Sequence, residues 1–224
     1  MKSIPRPGKT CLPRHIPPSE MLQAQELQSA YDALAAQYDS KLWFDQYILG
    51  VARQRRALMS QARGKIMDVA CGTGLNFPMF PVMSEITAID LSRHMLQMAR
   101  QKADALQLNV QTRVMDAQQL EFPNGSFDTV ASSLSTCTFP DPIRALKEMK
   151  RVCRADGQIL LLEHGHSSIG WLTDVQDRNV LKHYRQNAGC RWNQDPLDLV
   201  NEAGLKILNG RRFGLGMFHA IVAV

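Results

Sequence analysis

Acids and glycines recur at telling intervals in the middle of this chain. Asp68 to Gly74 reads DVACGTG directly after the apolar stretch Lys65-Ile66-Met67, Asp90 closes the next apolar stretch, and Asp116 follows a third. A glycine turn at a strand's end lets backbone approach a ligand, and an acid ending the neighbouring strand is suited to accept two ribose hydroxyls. The pattern describes a nucleotide-shaped pocket. Asp68, Ala70, Gly72, Gly74 and Asn76 stand at the first strand end. Asp90 and Leu91 stand at the second, with Met95 one turn into the following helix, then Asp116 and Ala117 after the third and Ser133 after the fourth. A dinucleotide loop is disfavoured, because its third glycine would fall at Phe77. One acid at a strand–helix junction is an ordinary cap, whereas acids at three strand ends favour a ligand.

A second set of reactive side chains lies between residues 163 and 195: Glu163, His164, His166, Trp171, His183, Cys190, Arg191, Trp192 and Asn193 among them. His164, at a strand's carboxyl end beside Glu163, is the first candidate to take a proton from an alcohol, phenol or thiol, and Glu163 would orient it or raise its pKa. His166 and His183 follow. A purely structural His164, tying its loop to a helix, stands level with that reading. His164, His166, His183 and Cys190 match no standard zinc spacing, so no metal is expected.

Positioning these residues requires alternating strands and helices. Apolar runs of strand length fall near 65–70, 85–90, 109–115, 127–132 and 157–163, with two more at about 205–210 and 217–224. Residues 92–106 form an amphipathic helix with Ser92 as its cap, and Asp141-Pro142 and Asp195-Pro196 each start another, the first running to about Arg154 and the second stopped by Gly204. The alternation predicts an α/β fold, a Rossmann-like, doubly wound, seven-stranded and mostly parallel sheet with an antiparallel carboxy-terminal edge pair. Residues 20–63 read as two helices broken near Asp39-Ser40, a helical lid on a single domain spanning 20–224, while 1–19 read as a Pro-rich basic disordered arm. The Leu42-Trp43-Phe44 cluster would admit an apolar acceptor or press on a membrane, with core packing the stronger reading.

The formal charge of +5 is concentrated in that arm. Lys2, Arg6, Lys9 and Arg14 carry four of the charges, and no acid precedes residue 19. The remaining 22 basic and 21 acidic residues nearly balance, so no nucleic-acid partner is expected. Five scattered cysteines without a Cys-x-x-Cys pair fit a reducing compartment. The expectation is a cytoplasmic protein, with a mitochondrial or membrane-peripheral setting as the alternative. Membrane contact is left open without being indicated.

From Tyr31 to about Leu208 the chain resembles class I S-adenosylmethionine-dependent methyltransferases of the ubiquinone/menaquinone type. YDALAAQYD (31–39), DVACGTGLNFPMFP (68–81), FDTVASSLSTCTFPDP (127–142), LLEHGHS (161–167) and GCRWNQDP (189–196) carry the likeness. The later segments look closer to the methyltransferase-like seven group of thiol methyltransferases and to mitochondrial methyltransferase-like proteins linked to respiratory-complex assembly. The resemblance implies S-adenosyl-L-methionine as cofactor, with Asp68 near its ammonium and Asp90 on its ribose. Asp116 and Ala117 would meet the adenine edge, Leu91 and Met95 its ring, and Tyr31 and Tyr38 would cover the methionine end. Asp68 departs from the Glu found in many members. The implied partner is a small, partly apolar acceptor: a thiol, a quinone-like phenol or a lipid amine, in that order. A non-catalytic assembly or interaction protein that retains the fold is the alternative.

Overall fold

The computed structural model describes residues 16–224. Helices α1 (Ala24–Leu34), α2 (Tyr38–Lys41), α3 (Trp43–Tyr47) and α4 (Val51–Met59) precede strands β1 (Lys65–Val69) and β2 (Glu85–Asp90). There follow α5 (Arg93–Ala105), β3 (Val110–Val114), β4 (Phe127–Ser133), α6 (Pro142–Val152) and β5 (Cys153–His164). The chain ends with α7 (Gly170–Arg178), α8 (Val180–Gln186), α9 (Pro196–Glu202), β6 (Ile207–Phe213) and β7 (Phe218–Ala223). Among the described residues the strands form one sheet of seven, ordered β3-β2-β1-β4-β5-β7-β6. β1 to β5 run parallel, and β7 pairs antiparallel with both β5 and β6. This is the expected Rossmann-like sheet. Strand order reverses between β1 and β4, which opens a crevice at their carboxyl ends.

The near-continuous apolar strands are explained by burial on two faces. Successive residues point to opposite sides. Ile159 and Leu161 of β5 join Met67, Val69 and Val130 under Leu146 and Met149 of α6 and Val200 of α9. Leu160 and Leu162 join Ile66, Ala88 and Ala131 under Leu58 and Met59 of α4 and Leu96 and Ala99 of α5. Each of the Leu, Ile, Val and Met side chains contributes about 1.5–3 kcal/mol on burial. The helix starts follow their caps: Ser92 Oγ accepts the Met95 N–H at 3.0 Å, Asp141 accepts the Arg144 N–H at 2.9 Å, and Asp195 accepts the Leu197 N–H at 2.9 Å.

Three boundaries differ from the sequence expectation. Residues 20–63 hold four helices and a 3-10 turn rather than two helices, with Gly50 at φ 78° redirecting the chain into α4. β5 begins at Cys153, because a register irregularity against β4 between Phe127 and Thr129 recruits its first residues early, so α6 stops at Val152. The expected arm boundary at residue 19 falls within packed chain. Ile16 is buried with Val180 and Tyr184, Pro18–Glu20 form a 3-10 turn, and Glu20 accepts from Arg185 Nε at 3.0 Å. The rest of the expected arm, 1–15, lies outside the described residues.

The segment after β5 is held by Gln176, only 1% exposed. Its Oε1 accepts the Ser167 N–H at 2.8 Å, and its Nε2 donates to the carbonyls of Gly165 and Trp192 at 3.0 and 2.9 Å. Gln176→Leu fills the same space but strands three backbone groups. It should cost about 3 kcal/mol or more of unfolding free energy in urea titration; a loss below about 1 kcal/mol would show that the clamp is dispensable.

Candidate functional site: two adjoining cavities at the carboxyl edge

The loop after β1 is bent by positive φ at Ala70 (51°), Gly72 (55°) and Gly74 (79°). A Cβ on Gly74 would lie 2.5 Å from the Phe77 ring, so the residue that breaks the dinucleotide spacing occupies the room this glycine leaves. The Gly72 N–H donates to Asp90 Oδ2 at 2.9 Å, and the Ser92 N–H donates to Oδ1 at 2.8 Å. Ala70, Gly72, Asp90, Leu91, Met95, Asp116, Ala117 and Ser133 line one cavity with Tyr31 and Tyr38. Asp116 already accepts from the Gln118 backbone and side chain, at 2.8 and 3.0 Å.

Asp68, Gly74 and Asn76 stand behind that wall. Asp68 is 0% exposed, takes one hydrogen bond from Asn76 Nδ2 at 2.8 Å, and leaves Oδ2 without a partner. Asn76 in turn accepts from Ser133 Oγ at 3.0 Å. Burial pushes the Asp68 carboxyl up to about 7 against the Asn76 bond. It pushes Asp90 up to about 6 against the N–H groups of Ser92 and Gly72. Both acids stay ionisable near neutrality.

Arg55 is not among the site residues expected from the sequence. It is 2% exposed, reaches Gln46 Oε1 at 3.0 Å, and leaves Nε without a partner. With Tyr38, Gly72, Thr73 and Asn76 it lines a small recess beside the first cavity. Val51, Arg55, Leu58 and Met59 are spaced as one helical stripe. A guanidinium inside an apolar stripe was the available signal.

A second cavity of about 430 Å³ shares Tyr31, Tyr38, Leu134 and Thr138 with the first. The two phenol rings meet edge-on at 6.2 Å. His164 and His183 line this cavity, and so do Leu42, Phe44, Cys137, Cys190 and Trp192. His166 lines neither cavity: its Nε2 is 2.8 Å from Asp177 Oδ1, beside α7. Glu163 acts on His164 through its charge, which helps to raise the ring's pKa, rather than by orienting it. Neighbours in a strand face opposite ways, and Glu163 accepts instead from the N–H groups of Ser135 and Thr136 at 3.2 and 3.3 Å. His183 stacks on Trp192 with centroids 4.0 Å apart, and burial pushes its pKa down to about 4, so it is neutral at pH 7. His164 Nε2 lies 3.3 Å from Cys190 Sγ. Cys137, which the sequence reading counted but gave no role, completes that group. β4 and β5 are paired neighbours, so the loop after Ser133 and the end at His164 fall side by side.

A methyltransferase-domain model matches residues 67–161. The phosphatidylethanolamine N-methyltransferase of Cereibacter sphaeroides is 35% identical over 146 residues, covering 64% of this chain and 70% of that protein. The demethylmenaquinone methyltransferase of Deinococcus radiodurans is 35% identical over 149 residues, 63% of this chain and 61% of that protein. The mitochondrial methyltransferase OMS1 of Saccharomyces cerevisiae is 25% identical over 223 residues; the alignment covers 91% of this chain, which spans about half (47%) of that relative's length. The fold is shared with geranyl diphosphate C-methyltransferase from Streptomyces coelicolor, solved with S-adenosyl-L-homocysteine, at a TM-score of 0.62 and 16% identity over 84% of this chain and 83% of that one. The acid–glycine–acid spacing, the sheet order and a relative matched at 35% identity over more than two thirds of its length agree, and the chain belongs to the class I S-adenosylmethionine-dependent methyltransferases.

Proposed function

We propose that this enzyme transfers a methyl group from S-adenosyl-L-methionine to a small, partly apolar acceptor, a thiol ahead of a quinone-like phenol and a lipid amine. The observation that carries the reading is the meeting of the two cavities at Tyr31, Tyr38, Leu134 and Thr138, with His164 lining the second. The first cavity fits the cofactor's polar groups. The Asp90 carboxylate would accept the ribose hydroxyls, and Asp116 with the Ala117 N–H would meet the adenine edge beside Leu91 and Met95. The unpartnered Asp68 Oδ2 and Arg55 Nε suit the ammonium and carboxylate of an amino-acid end. When bound, the cofactor supplies an electrophilic methyl on a sulfonium centre.

The chain's own part is chiefly alignment, since orientation alone can supply much of the rate of an in-line displacement. Tyr31 and Tyr38 wall both cavities and exclude water, and burial holds their phenols protonated. Among the described residues lining the second cavity, Asp45 is the only carboxylate, and burial pushes it toward its neutral form. A cationic acceptor would meet that single carboxylate and no other. A thiol or phenol instead presents its proton beside His164, whose pKa is pushed up to about 9 because Cys137, Glu163 and Asp45 outweigh the lowering effect of burial, so the ring directs that proton and takes it only in its neutral fraction.

Asp90→Ala removes two charge-assisted hydrogen bonds, each worth ~1.5–3 kcal/mol. Calorimetry should show S-adenosylhomocysteine binding weakened by roughly 10²-fold or more, and no NAD binding in either protein; unchanged affinity would refute the cofactor assignment.

The pH dependence has a definite sign. The folded pKa values of Asp68 and Asp90, about 7 and about 6, lie above the ordinary carboxylate value. Their contribution to stability is fully present below about pH 4 and is lost as pH rises through those values. Ligand groups that pair with the ionised acids offset this loss. The rise in melting temperature caused by S-adenosylmethionine should therefore grow from pH 5 to pH 8, and grow less in Asp68→Asn. A flat profile in the native chain would contradict the pairing.

A panel of thiols, phenols and amines, followed by release of S-adenosylhomocysteine, tests the acceptor order. His164→Ala should lower turnover of the preferred acceptor by ~10²-fold or more with cofactor affinity unchanged. Full activity in that variant would leave His164 a structural loop residue.

A further inference from the structure

The side chains of Cys137, His164 and Cys190 converge although 27 and 26 residues separate them along the chain. Their ligand atoms, two Sγ and one imidazole nitrogen, all lie within 4.8 Å of one another. Cys190 Sγ and His164 Nε2 are 3.3 Å apart. Bonds of about 2.3 Å to sulfur and 2.0–2.1 Å to nitrogen put tetrahedral ligand atoms roughly 3.5–3.8 Å apart. Closing this triangle on an ion takes side-chain adjustments of about an ångström or less. All three residues line the second cavity, so the face of the triangle that no protein atom completes is turned to the space assigned to the acceptor.

We propose that Cys137, His164 and Cys190 form a three-ligand site for Zn²⁺ whose fourth position is taken by the thiol of the acceptor. This rests on the thiol reading of the acceptor and deepens it. Two thiolates and one imidazole with an open position are a ligand set suited to a borderline-soft cation that must also bind a substrate. Two thiolates cancel the ion's charge, and the imidazole adds none. The added acceptor thiolate makes the site an anion, attractive to a sulfonium in the adjoining cavity. As the thiol enters and ligates, its S–H bond gives its electron pair to the ion, and the proton leaves to bulk solvent before the cavity is sealed from water. His164 thereby directs the acceptor's proton through the ion rather than by carrying it.

The surroundings hold the ligands in place. The Arg191 N–H and Nε both donate to the Cys137 carbonyl at 3.0 Å, which locks the two cysteine-bearing loops together. The Leu134 N–H donates to the Leu162 carbonyl at 2.7 Å, which anchors the Cys137 loop to the end of β5. Cys153 sits at the opposite end of β5 and serves as a control thiol.

The test uses the full chain, untagged and kept reduced, stripped with chelator and then titrated with ZnCl₂ or CoCl₂ alone. One equivalent of either metal should bind. Cobalt should produce a thiolate-to-metal charge-transfer band that is kept in Cys11→Ser and Cys153→Ser and lost in Cys137→Ser and Cys190→Ser. S-adenosylhomocysteine binding in each variant checks that it is folded. Should both ligand variants unfold, wild-type stoichiometry and the band decide alone. Adding a small thiol to the cobalt protein should change its visible spectrum, whereas an equal amount of the corresponding alcohol should not. Substoichiometric uptake, a band surviving loss of either cysteine, or a Cys137–Cys190 disulfide formed in preference to metal binding would overturn the site. Thiol methylation undiminished by chelator would overturn the ion's role and leave the acceptor reading intact. Full occupancy without turnover of any thiol would uphold the ligand set and refute its acceptor.

Discussion

The carboxylate of Asp90 is the point from which the carboxyl edge of the sheet is organised. It must accept from both Gly72 and Ser92, and those two bonds fix the glycine loop against β2 and the start of α5. Ser92 then passes the constraint on. Its hydroxyl accepts from Met95 to cap α5 and donates to Asp32 of α1, which also accepts from the His94 N–H. One half-buried acid is thus linked through a single serine to the helices that cover the site. Its charge is costly to bury, and it is tolerated because two N–H groups already point at it.

Residues near each other in sequence were legible before the fold was known. The strand runs, the capped starts of α5, α6 and α9, and the acids at successive strand ends each announce themselves within a few positions, because a strand end and the turn after it are one local event. Gly72, Asp90, Leu91, Met95 and Ala117 line the first cavity on that basis. What failed was decided by neighbours distant in the chain. Glu163 looked like a partner for His164, yet strand alternation sends the two side chains apart. His166 looked like a second base, yet α7 brings Asp177 to it. The early start of β5 depends on a register irregularity against β4, which no property of residues 153–156 announces.

Arg55 and Cys137 show two further ways in which a sequence conceals a site. Arg55 was readable in principle, since its place in a buried helical stripe contradicts its charge, but two neighbouring arginines, Arg53 and Arg56, hid it in what looks like a solvated face. Cys137 carried no local signal. It acquires a role only when pairing of β4 with β5, and the return of the loop before α9, bring two thiols to one imidazole. The first cavity, with its acids and glycines, is written in short-range spacing. The second cavity is written in topology.

Tyr31 and Tyr38 wall both cavities, and the segment that carries them is fastened at its two ends, by Asp32 to Ser92 and His94 and by Asp39 to Thr73 and Lys102. A movement that freed a molecule from one cavity would therefore also uncover the other. With both cavities filled, the binding free energy of each occupant would go partly into holding the same wall, and by linkage the favour would be mutual and equal in size. Two sites that share a wall in this way would bind cooperatively without any change of subunit arrangement.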